Sequence, residues 1–281
     1  MKLIECPRDA MQGWKHQIPT EVKVDYLNQL LKVGFDILDF GSFVSPKAIP
    51  QLADTKLVIP QLELANTKSK LLAIVANTRG AEEAVVYDEI TYLGFPFSIS
   101  ETFQMRNTNK TIEESLVQVA EIQDLCAKSN KKAMLYISMG FGNPYGDAYD
   151  PEIVFNWFTK LVELGVDHIA LADTVGLSNP KNIPQLFQHL IPEFPKVHIG
   201  AHFHSSANNW EEKIQSAWES GCKNFDSAMN GIGGCPMAND DLVGNIATEN
   251  MLEFADRHDI LLQLDREAFK KAAAMASTVF V

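Results

Sequence analysis

Cysteine is scarce in this chain: four among 281 residues (Cys6, Cys126, Cys222 and Cys235), with no Cys-x-x-Cys pair. So sparse a set argues against a disulfide-stapled secreted scaffold and for a reducing compartment. Basic residues are also in deficit. The 24 Lys and Arg face 36 Asp and Glu, leaving a net charge of −12. That balance argues against broad binding to nucleic acid or anionic membranes, though one local pocket can still reverse the sign. No apolar run is long enough to cross a bilayer, and no low-complexity tract or polar linker marks a domain boundary. The expectation is one cytoplasmic domain spanning residues 1–281, with neither nucleic acid nor membrane as a partner.

What is present is an alternation. Eight short apolar runs separate helical patterns: Lys2–Cys6, Asp36–Ser42, Leu71–Val75, Ile90–Phe97, Lys132–Met139, His168–Asp173, His198–Phe203 and Asn224–Met229. Each is nearly continuous in apolar residues, as a strand buried on both faces should be. Between them, Thr20 is placed as the cap of a helix reaching Gly34, with Val24, Leu27, Leu30 and Leu31 on its inner face. Thr111-Ile-Glu-Glu reads as a capping box, and Pro151 and Pro180 as first-turn prolines. The tightest fit is a helix that must lie between Thr78 and Asp88. Eight β–α units in strict order predict a parallel sheet closed as a (β/α)8 TIM barrel, for which about 250 residues suffice. A doubly wound open sheet is the rival.

Polar residues gather at the C-terminal ends of these runs. Pro7-Arg8-Asp9 ends the first; Asp39 and Ser42 lie in the second; Asn77, Ser138 and Asp173-Thr174 end the third, fifth and sixth. The seventh carries His202 and His204, and the eighth leads through Asn230 into Gly231-Ile-Gly-Gly-Cys-Pro. In a barrel all these ends face one mouth, where such enzymes do chemistry. Residues i and i+2 of a strand point the same way, so His202 and His204 face the interior together while Phe203 faces the helices. Alone, His-x-His also suits two hydrogen-bonded core histidines. With Asp9 it becomes a carboxylate–imidazole set for Mg²⁺, Mn²⁺ or Zn²⁺. Arg8 is either a barrel-end ion pair or an anchor for a carboxylate or enolate oxygen. Asp173 is either a helix cap or a functional acid. Cys235, on a glycine-rich loop, is suited to act as acid or nucleophile, whereas Cys6, Cys126 and Cys222 read as packing residues.

Six segments, in order along the whole chain, carry a resemblance: Pro7-Arg-Asp-Ala-Met-Gln12, Ser42-Phe-Val-Ser-Pro-Lys47, Asp173-Thr-Val-Gly176, Ala201-His-Phe-His204, Gly233-Gly-Cys-Pro236 and Gly244-Asn-Ile-Ala-Thr-Glu249. Together they resemble the 3-hydroxy-3-methylglutaryl-CoA lyases, within a metal-dependent barrel family that also holds α-isopropylmalate and homocitrate synthases. The resemblance implies metal ligands Asp9, His202, His204 and Asn245, with Mg²⁺ or Mn²⁺ as the metal and no tightly bound organic cofactor. It implies Arg8 on the substrate's carbonyl or enolate oxygen, Cys235 as the catalytic thiol, and Asp39 and Asp173 supporting catalysis. Ser42, Asn77, Gly233 and Gly234 are expected to meet substrate, and Lys15, Lys47, Arg106 and Lys110 are candidates for coenzyme A. A homodimer and an acyl-CoA substrate follow from the same likeness. The implied reaction cleaves a 3-hydroxy-3-methylglutaryl thioester to acetyl-CoA and acetoacetate, with the base that takes the hydroxyl proton left open among Asp9, His202 and Asp173.

The chain also departs from that pattern. Ala10 stands for the usual glycine, Asp39 for glutamate and Ala170 for serine, Ser205-Ser206 follows His204, and the stretch from Cys235 to Asn245 is one residue longer. A different acyl-CoA, a synthase or aldolase acting on a 2-keto acid, and an inactive binding barrel are the alternatives.

Overall fold

The computed structural model describes residues 1–234 and 243–281. The eight expected strands are present: β1 (Lys2–Glu5), β2 (Ile37–Ser42), β3 (Lys70–Ile74), β4 (Ile90–Ser98), β5 (Lys132–Ser138), β6 (His168–Asp173), β7 (His198–Ser205) and β8 (Asn224–Ser227). Each pairs in parallel with its neighbours; β1 joins β8, and β6 joins β7, so the sheet closes. The doubly wound rival is thereby excluded, and the fold is a (β/α)8 barrel. A ninth strand, β9 (Gly244–Asn245), runs antiparallel to β7 and sets Asn245 opposite His204.

Short helices decorate the strand ends: α1 (Pro7–Gln12), α3 (Thr55–Val58) and α5 (Glu101–Thr108). The other helices form the outer shell: α2 (Thr20–Val33), α4 (Thr78–Ala84), α6 (Ile112–Lys128), α7 (Pro151–Glu163), α8 (Asn182–Glu193), α9 (Trp210–Glu219), α10 (Thr248–Arg257) and α11 (Arg266–Val279). The inner face of α2 buries Val24, Leu27, Leu30 and Leu31 as the periodicity requires. The Thr111–Glu114 capping box is formed in both directions, and Pro151 follows its cap Asp150. Two expected caps differ. Thr20 lies inside α2 and its hydroxyl donates to Asp54, because Pro19 already fixes the entry geometry. Pro180 lies one residue before the N-cap of α8, Lys181, and so outside the helix. No helix among the described residues is long and apolar enough to cross a membrane.

Strand alternation sorts side chains into two cores. Ile4, Ile37, Leu72, Ile74, Met134, Tyr136 and Ala170 fill the barrel with Cys6, while Leu3, Leu38, Phe95, Phe97 and Phe203 face the helices. Cys6, Cys126 and Cys222 are buried free thiols, as expected of packing residues.

Glu5 closes β1 under the turn that follows β8. It is fully buried, accepts from the Met229 N–H (2.9 Å) and the Thr248 hydroxyl (2.6 Å), and burial pushes its carboxyl up to about 8. A carboxyl raised by folding holds a proton that the unfolded chain releases, so its contribution is complete below the unfolded value and fades as pH rises towards 8. Wild-type stability should therefore decline from about pH 5 to pH 8 by an amount on the order of a few kcal/mol. Glu5→Gln, whose amide oxygen can accept from the Met229 N–H and whose NH2 can donate to the Thr248 hydroxyl, has no titrating group and should flatten that decline in urea titrations; an unchanged slope would remove Glu5 as its source.

Candidate active site

The chain turns directly from β1 into α1. Proline at the first helical position sets that geometry, so Arg8 and Asp9 stand on a helical turn over the barrel mouth rather than at the end of the strand. The Arg8 guanidinium grips Asp39 through Nε (3.0 and 3.2 Å) and Nη2 (2.5 Å). Its Nη1 donates to Asp9 (3.0 Å) and Gln12 (2.9 Å). Asp9 is held from both sides, with Gln12 Nε2 on Oδ1 (2.9 Å) and Asn245 Nδ2 on Oδ2 (2.7 Å). Burial opposes the charge on Asp9, but Arg8, His202 and His204 outweigh it and hold the carboxyl below its ordinary value. Burial pushes Asp39 up to about 6 against the pull of Arg8.

His202 and His204 both face inward, their ring centroids 5.3 Å apart, while Phe203 packs outward on Phe141 and Phe187. Nδ1 of His202 lies 2.9 Å from Asp226, and Nδ1 of His204 lies 3.0 Å from the Thr174 carbonyl oxygen. Both partners are acceptors, so each ring donates from Nδ1 and presents the lone pair of Nε2 to the mouth. Burial, then His202, pull His204 down to about 4, so it is neutral at physiological pH. Burial works against charge on His202 as well, but the bond and charge of Asp226 and the charge of Asp9 raise it.

These groups fit a divalent cation. A ligand atom from each of Asp9, His202 and His204 lies within 4.8 Å of the others. Nε2 of His204 is buried without a partner among the described residues. Two buried carboxylates, Asp9 and Asp39, share one guanidinium, and a third, Asp226, lies behind His202, leaving negative charge for a cation to balance. Asn245 is beside the cluster but meets Asp9 through its Nδ2, so an oxygen ligand requires the amide to turn over. The loop fits closely here. A Cβ on Gly233, at φ +122°, would meet Asn245 Nδ2 at 2.2 Å and Asp9 Oδ2 at 3.0 Å, so only glycine lets this backbone cross the pair.

A cavity of about 160 Å³ opens above this cluster, with Arg8, Asp9, Tyr136, Ser138, His202 and His204 in its wall. The expected site residues divide around it. Asp39 sits behind Arg8, outside the wall. Asp173 also stands back. It accepts from Ser178 and from Lys213 (2.8 Å), and Lys213 Nζ in turn donates to the His204 carbonyl (2.7 Å). These two acids therefore touch the groups that position the site, not the space a substrate would occupy. Asn77 caps α4 through the Gly80 N–H (2.9 Å), and the Ser42 hydroxyl accepts from the Val44 N–H (3.1 Å); neither lines the cavity. Gly233 and Gly234 lie against α1, and Cys235 lies outside the described residues. Of the cations considered for coenzyme A, Lys15 and Lys47 are exposed, Lys110 is half-buried, and Arg106 stacks over Tyr145 at 4.6 Å beside Asn107 and Thr108 of the cavity wall.

Two residues passed over in the sequence belong to the site. Tyr136 lines the cavity with a buried hydroxyl that has no partner among the described residues. Asp226 fixes the His202 tautomer, the role a second layer of residues commonly plays behind metal-binding imidazoles. The signal for Asp226 was its strand alternation on β8. Asp226→Ala is expected to weaken Mn²⁺ binding about 10–100-fold in a titration followed by electron paramagnetic resonance; affinity within a factor of about two of wild type would deny it that role.

A family model described as HMGL-like matches residues 3–276. The chain is 32% identical over 270 residues to the hydroxymethylglutaryl-CoA lyase YngG of Bacillus subtilis, covering 95% of this chain and 88% of that one. It is 30% identical to the hydroxymethylglutaryl-CoA lyase of Pseudomonas mevalonii, over 88% of this chain and 81% of that one. Among solved structures, an HMG-CoA lyase from Acinetobacter baumannii in complex with coenzyme A and 3-methylmalate superposes with a TM-score of 0.92 at 28% identity, covering 100% of this chain and 91% of that one.

Proposed function

Because the chain belongs to the HMGL-like family and is a carbon–carbon lyase, we propose that it cleaves 3-hydroxy-3-methylglutaryl-CoA to acetyl-CoA and acetoacetate with the help of Mg²⁺ or Mn²⁺. The observation that carries this reading is the meeting of Asp9, His202 and His204 beneath a cavity walled by Arg8. The solved relative with coenzyme A bound supports a thioester substrate.

Asp9, His202 and His204 would hold the metal, with Asn245 as a fourth ligand once its amide turns. When bound, a divalent cation supplies Lewis-acid polarisation of the substrate's oxygens. The chain's own residues do the rest. Loss of the tertiary hydroxyl proton lets the C2–C3 bond break; its electron pair passes to the thioester as an enolate, and the other fragment leaves as the ketone of acetoacetate. Of the three bases considered, Asp9 and His202 border the cavity and Asp173 does not. With Nδ1 of His202 donating to Asp226 and Nε2 assigned to the metal, that ring takes the proton only through an intervening water, and Asp9 only through a lone pair that ligation leaves free. Arg8 spends its Nε–H, both Nη1–H and one Nη2–H on Asp39, Asp9 and Gln12, which leaves one Nη2–H for the enolate oxygen. The Tyr136 hydroxyl is a further donor or acceptor facing substrate. Cys235 is the proposed acid that returns a proton to the enolate carbon, giving the acetyl group. A thiol whose ordinary value is near 8.5 is mostly protonated at neutral pH and so able to donate. A homodimer and a cytoplasmic setting belong to the same proposal.

The test is a mass-spectrometric product assay with 3-hydroxy-3-methylglutaryl-CoA and close analogues. Acetyl-CoA and acetoacetate in equal amounts, formed only with divalent metal, are expected. Cleavage of an analogue in preference would move the proposal to another 3-hydroxyacyl thioester, and Ala170, directly across the sheet from Tyr136, is the place to look for the reason.

A further inference from the structure

The end of the barrel opposite the active site is also concave. Strand alternation there produces an unusual layer. With Ile4, Met134, Ala170 and Gly200 facing inward, the residues two positions earlier face inward too: Lys2, Lys132, His168 and His198, each the first residue of its strand. Lys70, which opens β3, joins them. Barrel interiors are ordinarily packed with branched apolar side chains. Here the bottom layer is cationic and titratable, in a chain whose net charge is −12.

The layer frames a cavity of about 240 Å³ that is separate from the active site. Ile4, Ile37 and Met134 make its apolar base, and Lys2, Lys68 and Lys70 stand in its wall. His168 is buried between the rings of Tyr92 (5.1 Å) and His198 (4.4 Å), tilted against both. Some of the charge is already matched. Asp167 takes Lys132 (2.9 Å) and His168 Nδ1 (2.6 Å), and Lys68 donates to the Gln263 carbonyl (2.7 Å). The ammonium groups of Lys2 and Lys70 have no partner among the described residues. One acid, Asp36, is in the wall, with an oxygen taken by the Leu3 N–H (3.0 Å).

We propose that this floor cavity is a binding site for a small monocarboxylate with a short apolar chain. Lys2 and Lys70 take the carboxylate while Ile4, Ile37 and Met134 cover the chain. The apolar base disfavours a purely polar anion, and Asp36 disfavours a second negative charge, so inorganic phosphate is the wrong shape of ligand on both counts. Binding should tighten as pH falls. Burial, first among the causes, holds His168 and His198 below the ordinary histidine range, and the neighbouring cations Lys2 and Lys132 oppose their protonation while Asp167 favours it. A bound anion shifts that balance towards the protonated rings.

The probe is 3-methylbutanoate, titrated into the intact metal-loaded protein and followed by nuclear magnetic resonance of the histidine rings. Saturable shifts are expected at His168 and His198, with His202 and His204 unmoved. Lys70→Met and Lys2→Met, at exposed positions outside the catalytic machinery, should each weaken binding about fivefold and leave cleavage unchanged. Equal shifts from chloride or phosphate at matched ionic strength would overturn the proposal, as would variants that titrate like wild type.

Discussion

His204→Ala should lower turnover at least about a thousandfold at any metal concentration that the protein tolerates, because a Lewis acid at this position is worth several kcal/mol and each 1.4 kcal/mol is tenfold in rate. The expectation rests on a particular nitrogen. Nδ1 of His204 is committed to the Thr174 carbonyl, and Nε2 is buried with no other partner among the described residues, so the ring is oriented for one task. Its low affinity for protons, near 4, also means that a cation meets little competition there above about pH 5. The backbone that carries the ring is pinned by Lys213, which reaches the His204 carbonyl and Asp173, so loss of the imidazole should leave the barrel folded. Activity and Mn²⁺ titration measured side by side would check this. Turnover above a tenth of wild type with metal bound normally would show that His204 is a core histidine and no ligand.

Cys235→Ser is the second large effect, a loss of about 10²–10⁴ in turnover with Mn²⁺ affinity unchanged. A serine hydroxyl fits the same space but is a far weaker acid than a thiol, so the enolate would have to wait for solvent. The described part of the loop bears on this indirectly. Gly233, two residues before Cys235 in the sequence, crosses the Asp9–Asn245 pair. Turnover within a factor of about three of wild type would take the thiol out of the reaction.

The barrel was legible because a strand buried on both faces leaves an unbroken apolar run, and eight such runs survived intact between helical patterns. The mouth was legible for a related reason, since polar residues at the ends of apolar runs stand out. At Ser42 and Asn77 that same feature marked residues that stand outside the cavity wall. The end of a strand in this fold leads at once into a helix or a turn, so a polar side chain there has two explanations: Ser42, the last residue of β2, and Asn77, three residues past β3, both bond local backbone. Asp39 and Asp173 were visible as acids, but whether each faced the cavity depended on partners far away in the chain, Arg8 at 31 residues and Lys213 at 40. Asp226 could be placed only by the alternation of a four-residue strand, and Glu5, the last residue of β1, carries no spacing signal of its own. The helical placement of Asp9 was in principle readable from Pro7, a residue favoured in a helix's first turn.

The most direct test of the account is a crystal of the protein soaked in Mn²⁺ and measured at the manganese absorption edge. A single strong anomalous peak is expected about 2.0–2.3 Å from an Asp9 oxygen and from Nε2 of both His202 and His204. A peak elsewhere, or none at a concentration that supports cleavage, would mean that these three side chains meet for structural reasons and that the chemistry happens without a cation between them.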